Sequence, residues 1–156
     1  LELEELTFPS RIIHHDTKAN NVLLDKDSGY PKCIIDLDTL MPGDIFSDFG
    51  DLMRTVFNPY AEDKFPANGD LVADDIISSL IMGFLNPLKQ MLTNDEKTYL
   101  IKGGKKITLL QVLRFLEDHL KGDIYYQTGY AGQNLDRALS QMFLYEEMEK
   151  TQILLP

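Results

Sequence analysis

The chain predicts an α+β fold that is mainly α, and three observations carry it. Short apolar segments of three or four residues are confined to the first quarter. From about residue 47 onward the apolar residues recur at helical spacing. Capping and breaker residues then divide that long stretch into separate helices. Taken in order, Leu1 to Leu6 reads as the tail of a helix ended by Pro9. Arg11 to Ile13, Asn21 to Leu24 and Lys32 to Ile35 read as strands. Asp25-Lys26-Asp27-Ser28-Gly29 joins the last two as a hairpin turn, because these residues tolerate positive φ. Pro42-Gly43-Asp44 marks a loop.

A helix is expected from Ser47 or Asp48 to Phe57, with Phe49, Leu52, Met53 and Val56 on one face. Asn58 to Gly69 is an irregular loop punctuated by Pro59, Pro66 and Gly69. Asp70 to Met91 carries Leu71, Ile76, Leu80, Phe84 and Leu88 at helical spacing, and Pro87 kinks or stops that helix. Thr93-Asn94-Asp95-Glu96 is a capping-box start. Thr108 opens another helix to Leu120, stopped by Gly122, and Asn134 caps a last one to about Gln152. No internal repeat or low-complexity tract interrupts the pattern.

The 156 residues make one domain's worth of chain, long enough for a sizeable core. No apolar run approaches the roughly 20 residues of a membrane span. A net charge of −10 leaves no basic stripe for nucleic acid. The single cysteine, Cys33, permits no internal disulfide and lies in an apolar run, where a small buried hydrophobe is expected. A reducing, cytoplasmic setting fits that usage.

The densest chemistry lies between residues 12 and 38. Ile12-Ile13-His14-His15-Asp16-Thr17-Lys18-Ala19-Asn20-Asn21-Val22-Leu23-Leu24 is followed by Cys33-Ile34-Ile35-Asp36-Leu37-Asp38. Two apolar segments thus deliver polar groups at their ends. A carboxylate such as Asp16 orients a hydroxyl nucleophile, while an amide oxygen and a second carboxylate, Asn21 and Asp36, suit Mg²⁺ beside a triphosphate. A tight loop from Asp16 to Asn21 sends one group toward an acceptor and the other back toward a metal.

His14 to Asn21 resembles the catalytic loop of the protein-kinase-like superfamily, in its small-molecule branch of aminoglycoside and choline kinases. The longer set, extending through Asp25-Lys26-Asp27, Ile35 to Thr39, Met41-Pro42-Gly43 and Asp48-Phe49-Gly50-Asp51, is similar to bacterial N-acetylhexosamine 1-kinase-like proteins. So are Arg114 to Tyr126 and Asn134-Leu135-Asp136-Arg137. The resemblance implies an ATP- and Mg²⁺-dependent transfer to a hydroxyl of a small molecule, an N-acetylhexosamine or related sugar.

It also implies which part of the fold this is. The chain lacks an initial Met, and neither a glycine-rich phosphate loop nor a strand lysine precedes Asp16. Residues 1–156 then correspond to the C-terminal, large lobe, with short strands bearing the catalytic and metal loops and a helical bundle behind them. The N-terminal ATP-binding lobe would lie outside the sequence, and the isolated chain is expected to turn over little ATP.

The resemblance assigns roles residue by residue. Asp16 accepts or orients the proton of the acceptor hydroxyl, largely by positioning, since phosphoryl transfer has a loose transition state. Asn21, five positions later, and Asp36 are the Mg²⁺ ligands. Lys18 holds the transferred phosphate, and Arg114 and Tyr125 line the acceptor pocket. Asp38 is grouped with the substrate-binding residues, although a second Mg²⁺ or a hydrogen bond within its loop is equally open to it. Asp48-Phe49-Gly50 spells the protein-kinase metal motif but lies 32 residues after Asp16, whereas Asp36 lies 20 after it. Asp48 is therefore expected to cap the next helix and brace the catalytic loop. His14 is structural by the same resemblance, and His15 and His119 lack metal-ligand spacing.

Two rivals stand beside the sugar kinase. One is an aminoglycoside, choline or homoserine kinase of the same fold, whose amino-alcohol acceptor would want an open acidic or aromatic pocket. The other is a non-catalytic kinase-like binding module, against which Asp16, Asn21 and Asp36 speak together. A protein kinase is disfavoured because no Ala-Pro-Glu anchor follows Asp36.

Overall fold

Strands come first and helices follow. The computed structural model describes residues 7–64 and 74–150. Strand β1 (Arg11–Ile13) pairs antiparallel with β4 (Met41–Gly43), Ile12 opposite Pro42. Between them, β2 (Val22–Leu24) and β3 (Pro31–Ile34) form a separate antiparallel hairpin, with Val22 opposite Ile34 and a register slip after Leu23. Helices α1 (Ile45–Phe57), α2 (Asp74–Leu88), α3 (Asn94–Leu120) and α4 (Gln133–Lys150) complete the described residues. The expected helix tail before residue 7, and any part of α4 beyond Lys150, lie outside them. Among the described residues no helix is long and apolar enough to cross a membrane.

Several elements differ from the sequence expectation. Met41–Gly43 is a strand rather than part of a loop, because its partner β1 supplies the ladder that Pro42 does not need to donate to. Helix α1 starts at Ile45 because Asp44, not Asp48, is its cap: its carboxylate accepts from the Phe46 and Ser47 amides. The apolar face of α2 runs through Ile77, Ile81, Phe84 and Leu88, while Ile76 is 48% exposed. Spacing of four, three and four holds one face of a straight helix, whereas a strict step of four drifts off it. Cys33 is exposed, not buried, as are all four residues of β3. Asn134 lies inside α4, fully buried, rather than capping it.

The largest difference is in α3. It begins at the Thr93–Glu96 capping box and continues unbroken through Gly103-Gly104 to Leu120, with no new start at Thr108. The Thr108 hydroxyl instead donates back to the Gly104 carbonyl within the helix. The glycines are needed for close approach. A Cβ on Gly103 would lie 2.4 Å from the Phe46 ring, one on Gly104 would lie 2.9 Å from the Met53 methyl, and one on Gly50 would lie 2.5 Å from Ile107. Helices α1 and α3 therefore nest backbone to backbone. Gly103→Ala is expected to destabilise by about 1–2 kcal/mol in urea unfolding, because overpacking outweighs the gain in helix propensity.

Among the described residues two apolar clusters result. Phe49, Met53 and Phe57 of α1 pack with Leu100 of α3 and with Leu144 and Met148 of α4, all almost fully buried. Ile13 joins this cluster and pins β1 to the helices, so the loop after it leaves from a fixed point. Val112, Phe115 and Ala138 form the second cluster, against which Tyr126 packs.

Candidate active site

The loop following β1 is braced from α1. Asp48 accepts the His14 amide at 3.0 Å and the His15 amide at 2.7 Å, and its own carbonyl accepts the Thr17 hydroxyl. The Thr39 hydroxyl donates to the His14 carbonyl. His14 is buried, with Nδ1 accepting the Asp16 amide at 3.3 Å and Nε2 3.0 Å from the Ile35 carbonyl. An accepting Nδ1 makes Nε2 the protonated nitrogen, so the neutral ring bridges the two loops. This bracing is what allows two non-glycine residues in the left-handed region, His15 at φ 66° and Asp36 at φ 65°. Each costs about 1–2 kcal/mol; His15 adjoins Asp16, and Asp36 is itself one of the residues expected to act.

Asp16 is the centre of the site. Its Oδ2 accepts Lys18 Nζ at 2.7 Å and Asn21 Nδ2 at 2.9 Å, while Asn21 Nδ2 also reaches the Asp16 carbonyl at 2.8 Å. The nitrogen end of the buried Asn21 amide is thereby committed to Asp16, which leaves its oxygen as the atom available to a cation. Asn21 lies in a 3₁₀ turn, Ala19–Asn21, not on a strand. Its carbonyl accepts the Ile35 amide at 2.9 Å, and this bond sets Asp36 beside it. Asp36 follows the end of β3, is exposed and forms no side-chain cap to the turn after it.

Burial pulls the Lys18 ammonium down, but Asp16, Asp36 and Asp51 together outweigh it, so its pKa lies above the ordinary lysine value. Lys18 is thus a cation amid three carboxylates. No cluster of three or more His, Cys, Asp or Glu among the described residues is arranged to hold a metal. The donor chemistry nonetheless fits Mg²⁺, which takes hard oxygens, one or two from protein and the rest from water and phosphate. Asn21 and Asp36 would hold it.

A cavity of about 680 Å³ opens at Asp16 and runs to the far end of α3, lined by Lys18, Asp51, Arg54, Arg114 and Tyr125 among others. Four of the residues named from sequence, Asp16, Lys18, Arg114 and Tyr125, therefore share one cavity. Asn21 joins through its bond to Asp16, and Asp36 through the Ile35 amide held on the Asn21 carbonyl. Asp38 is exposed in the turn Leu37–Thr39, and no hydrogen bond or ion pair among the described residues ties it to any of the others. The remaining acidic lining was not foreseen. Asp51 and Arg54 are buried and paired at 2.6 Å, and Arg54 reaches Glu62 at 2.5 Å. Burial pushes the Asp51 carboxyl up, with Arg54 opposing and the charge on Asp16 adding to the rise. Their spacing of three residues on a helix is an ion-pair signature that the sequence does carry.

Residues 2–72 match the model of the phosphotransferase enzyme family, APH. The match takes in Asp16, Lys18, Asn21, Asp36 and Asp38, and stops before Arg114 and Tyr125. This portion of the chain is thus akin to the aminoglycoside and choline kinase-like phosphotransferases, members of the kinase-like superfamily.

Proposed function

We propose that the chain is the acceptor- and metal-bearing lobe of an ATP- and Mg²⁺-dependent phosphotransferase whose acceptor is an N-acetylhexosamine or related neutral sugar. The observation that carries this is the Asp16 carboxylate, fixed by Lys18 and Asn21 at one end of a cavity whose other end offers Arg114 and Tyr125. An acceptor hydroxyl beside Asp16 gives its proton to the carboxylate as its oxygen bonds to the γ-phosphorus and the bond to the ADP oxygen breaks. Lys18 faces the phosphoryl oxygens. Mg²⁺ held by Asn21 and Asp36 would neutralise phosphate charge.

The cavity charge favours a neutral acceptor over an amino-alcohol. Its three carboxylates, Asp16, Asp51 and Glu62, are matched by Lys18, Arg54 and Arg114. All three carboxylates are already paired within the protein, Asp16 with Lys18, and Asp51 and Glu62 with Arg54. A cation entering the cavity finds no surplus of negative charge to neutralise it. The nucleotide would be completed by a separate lobe outside these residues. In favour of that lobe, Ile12, Leu24, Tyr30 and Ile34 expose apolar surface around the hairpin, at 72%, 60%, 74% and 57%.

Radiolabelled γ-phosphate transfer by the full-length protein, across N-acetylhexosamines, choline, homoserine and aminoglycosides, tests the reading. The expected result is Mg²⁺-dependent labelling of the N-acetylhexosamines, with little turnover by the 156 residues alone. Labelling restricted to cationic acceptors would replace the sugar, and robust turnover by the isolated chain would remove the second lobe.

A further inference from the structure

The loop after α3 is folded back onto that helix by one carboxylate. Asp118, 5% exposed in the last turn of α3, accepts the Ile124 amide at 3.0 Å and the Tyr125 amide at 2.8 Å on Oδ1. Its Oδ2 accepts the Tyr126 amide and the Asn134 side-chain amide, both at 2.9 Å. Three consecutive backbone N–H groups on one side chain leave the segment little torsional freedom. Asn134, fully buried, extends the clasp: its Nδ2 also reaches Asp123 at 2.9 Å, and its Oδ1 accepts from Arg137 at 2.7 Å. Arg137 in turn donates to the Gln127 carbonyl at 3.1 Å. The turn out of α3 is made by Gly122 and Asp123, with φ of 92° and 59°.

Core packing does not account for so much fastening. A clasp that served stability alone would accompany buried side chains, yet the Ile124 and Tyr125 side chains stay outside, each residue 78% exposed. Only Tyr126 is drawn inward, against Phe115 at 4.7 Å between ring centroids, with its hydroxyl accepting from Gln111 at 3.3 Å. Tyr125 stands edge-on to Tyr126 at 4.8 Å. Arg114 lies one helical turn before Asp118, on the same face of α3. The carboxylate therefore fixes the Tyr125 ring relative to the guanidinium across the cavity rim.

We infer that Asp118 is a positioning residue for the acceptor: by clasping the amides of residues 124 to 126 it sets the Tyr125 ring against Arg114, and with it the affinity for the sugar. This rests on the reading of the cavity as an acceptor pocket, with Tyr125 in contact with the substrate. Burial pushes the Asp118 carboxyl up, and the amides of Tyr126, Tyr125 and Ile124 outweigh it, holding it below the usual carboxylate range. The clasp is accordingly ionised throughout the neutral pH range of a kinase assay.

Steady-state kinetics of the full-length enzyme with an N-acetylhexosamine decide the matter. In Asp118→Asn one acceptor oxygen becomes a donor, and the amides facing it lose their partner. The acceptor KM is expected to rise about tenfold, the equivalent of one lost charge-assisted hydrogen bond, while kcat and the ATP KM stay within twofold. Tyr125→Ala should raise the same KM, and the double variant should be no worse than Tyr125→Ala alone, since both remove one contact. Arg137→Ala, which removes the donor shared by the Gln127 carbonyl and Asn134 and the guanidinium over the Phe115 ring, should give a smaller rise of the same kind. It decides the question should Asp118→Asn not fold. An unchanged acceptor KM in Asp118→Asn and Arg137→Ala, beside a raised one in Tyr125→Ala, overturns the inference and leaves the pocket standing. So does full additivity in the double variant, or a parallel loss of ATP affinity. An unchanged KM in Tyr125→Ala itself removes both.

Discussion

Asp16→Asn in the full-length protein is expected to lower kcat about 10³-fold, roughly 4 kcal/mol in the barrier, with ATP affinity unchanged within twofold. Two losses coincide. The amide cannot take the acceptor proton, and it presents at best one oxygen where the carboxylate now receives both Lys18 and Asn21. Either the substituted side chain turns its nitrogen toward those donors, or it accepts them and aims its nitrogen at the acceptor hydroxyl. In the first orientation Lys18 and Asn21 lose their acceptor and the hydroxyl keeps only a non-basic amide oxygen; in the second the hydroxyl faces a donor. Isothermal titration with a non-hydrolysable ATP analogue, alongside single-turnover transfer, separates the two quantities. A kcat within tenfold of the parent would end the assignment of Asp16 as proton acceptor, and weakened nucleotide binding would move it to the phosphate site.

The largest effect on stability is expected at Glu96. This residue is fully buried, receives Arg11 Nε at 2.7 Å and Nη2 at 2.8 Å, and accepts the Thr93 amide at 2.7 Å. One carboxylate thus closes the cap of α3 and anchors β1. Glu96→Ala is expected to cost about 3 kcal/mol, the low end for removing one partner of a buried pair, because Arg11 keeps some water. Urea unfolding at neutral pH measures it, and a loss under 1 kcal/mol would demote the pair to a surface contact.

The same group carries a pH signature. The Arg11 hydrogen bonds hold Glu96 below the ordinary value of 4.5, against burial. A depressed carboxyl contributes stability above its unfolded value and loses it as pH falls through the folded one. Unfolding free energy should therefore decline below about pH 4.5, and less steeply in Glu96→Gln. Equal slopes in the two proteins would show that other carboxylates govern the acid limb.

Legibility followed the range of the physics. The run from His14 to Asn21 could be read because its groups act within a few residues of one another, and the Thr93–Glu96 cap for the same reason. Cys33 departs from its reading because an apolar run signals burial only if something packs on it, and every residue of β3 is exposed. The continuity of α3 could not be seen either. Glycine pairs read as breakers until the ring of Phe46, 57 positions away, is known to need their space. Asp51 and Asp118 look like ordinary helix-surface acids in sequence. The Arg54 spacing marks the Asp51 ion pair but not its burial in the cavity, and the loop that returns to Asp118 follows from no spacing at all.

One rod runs the length of the site. Helix α3 carries the Glu96 tie to β1 near one end and Asp118 near the other, about 33 Å apart along its axis. Inserting or deleting a single residue between them would swing Arg114 by about 100° about the axis and carry it off the cavity. Length in this helix is therefore closed to variation. Changes of length that leave the rod unturned are confined to the loop at residues 121 to 127.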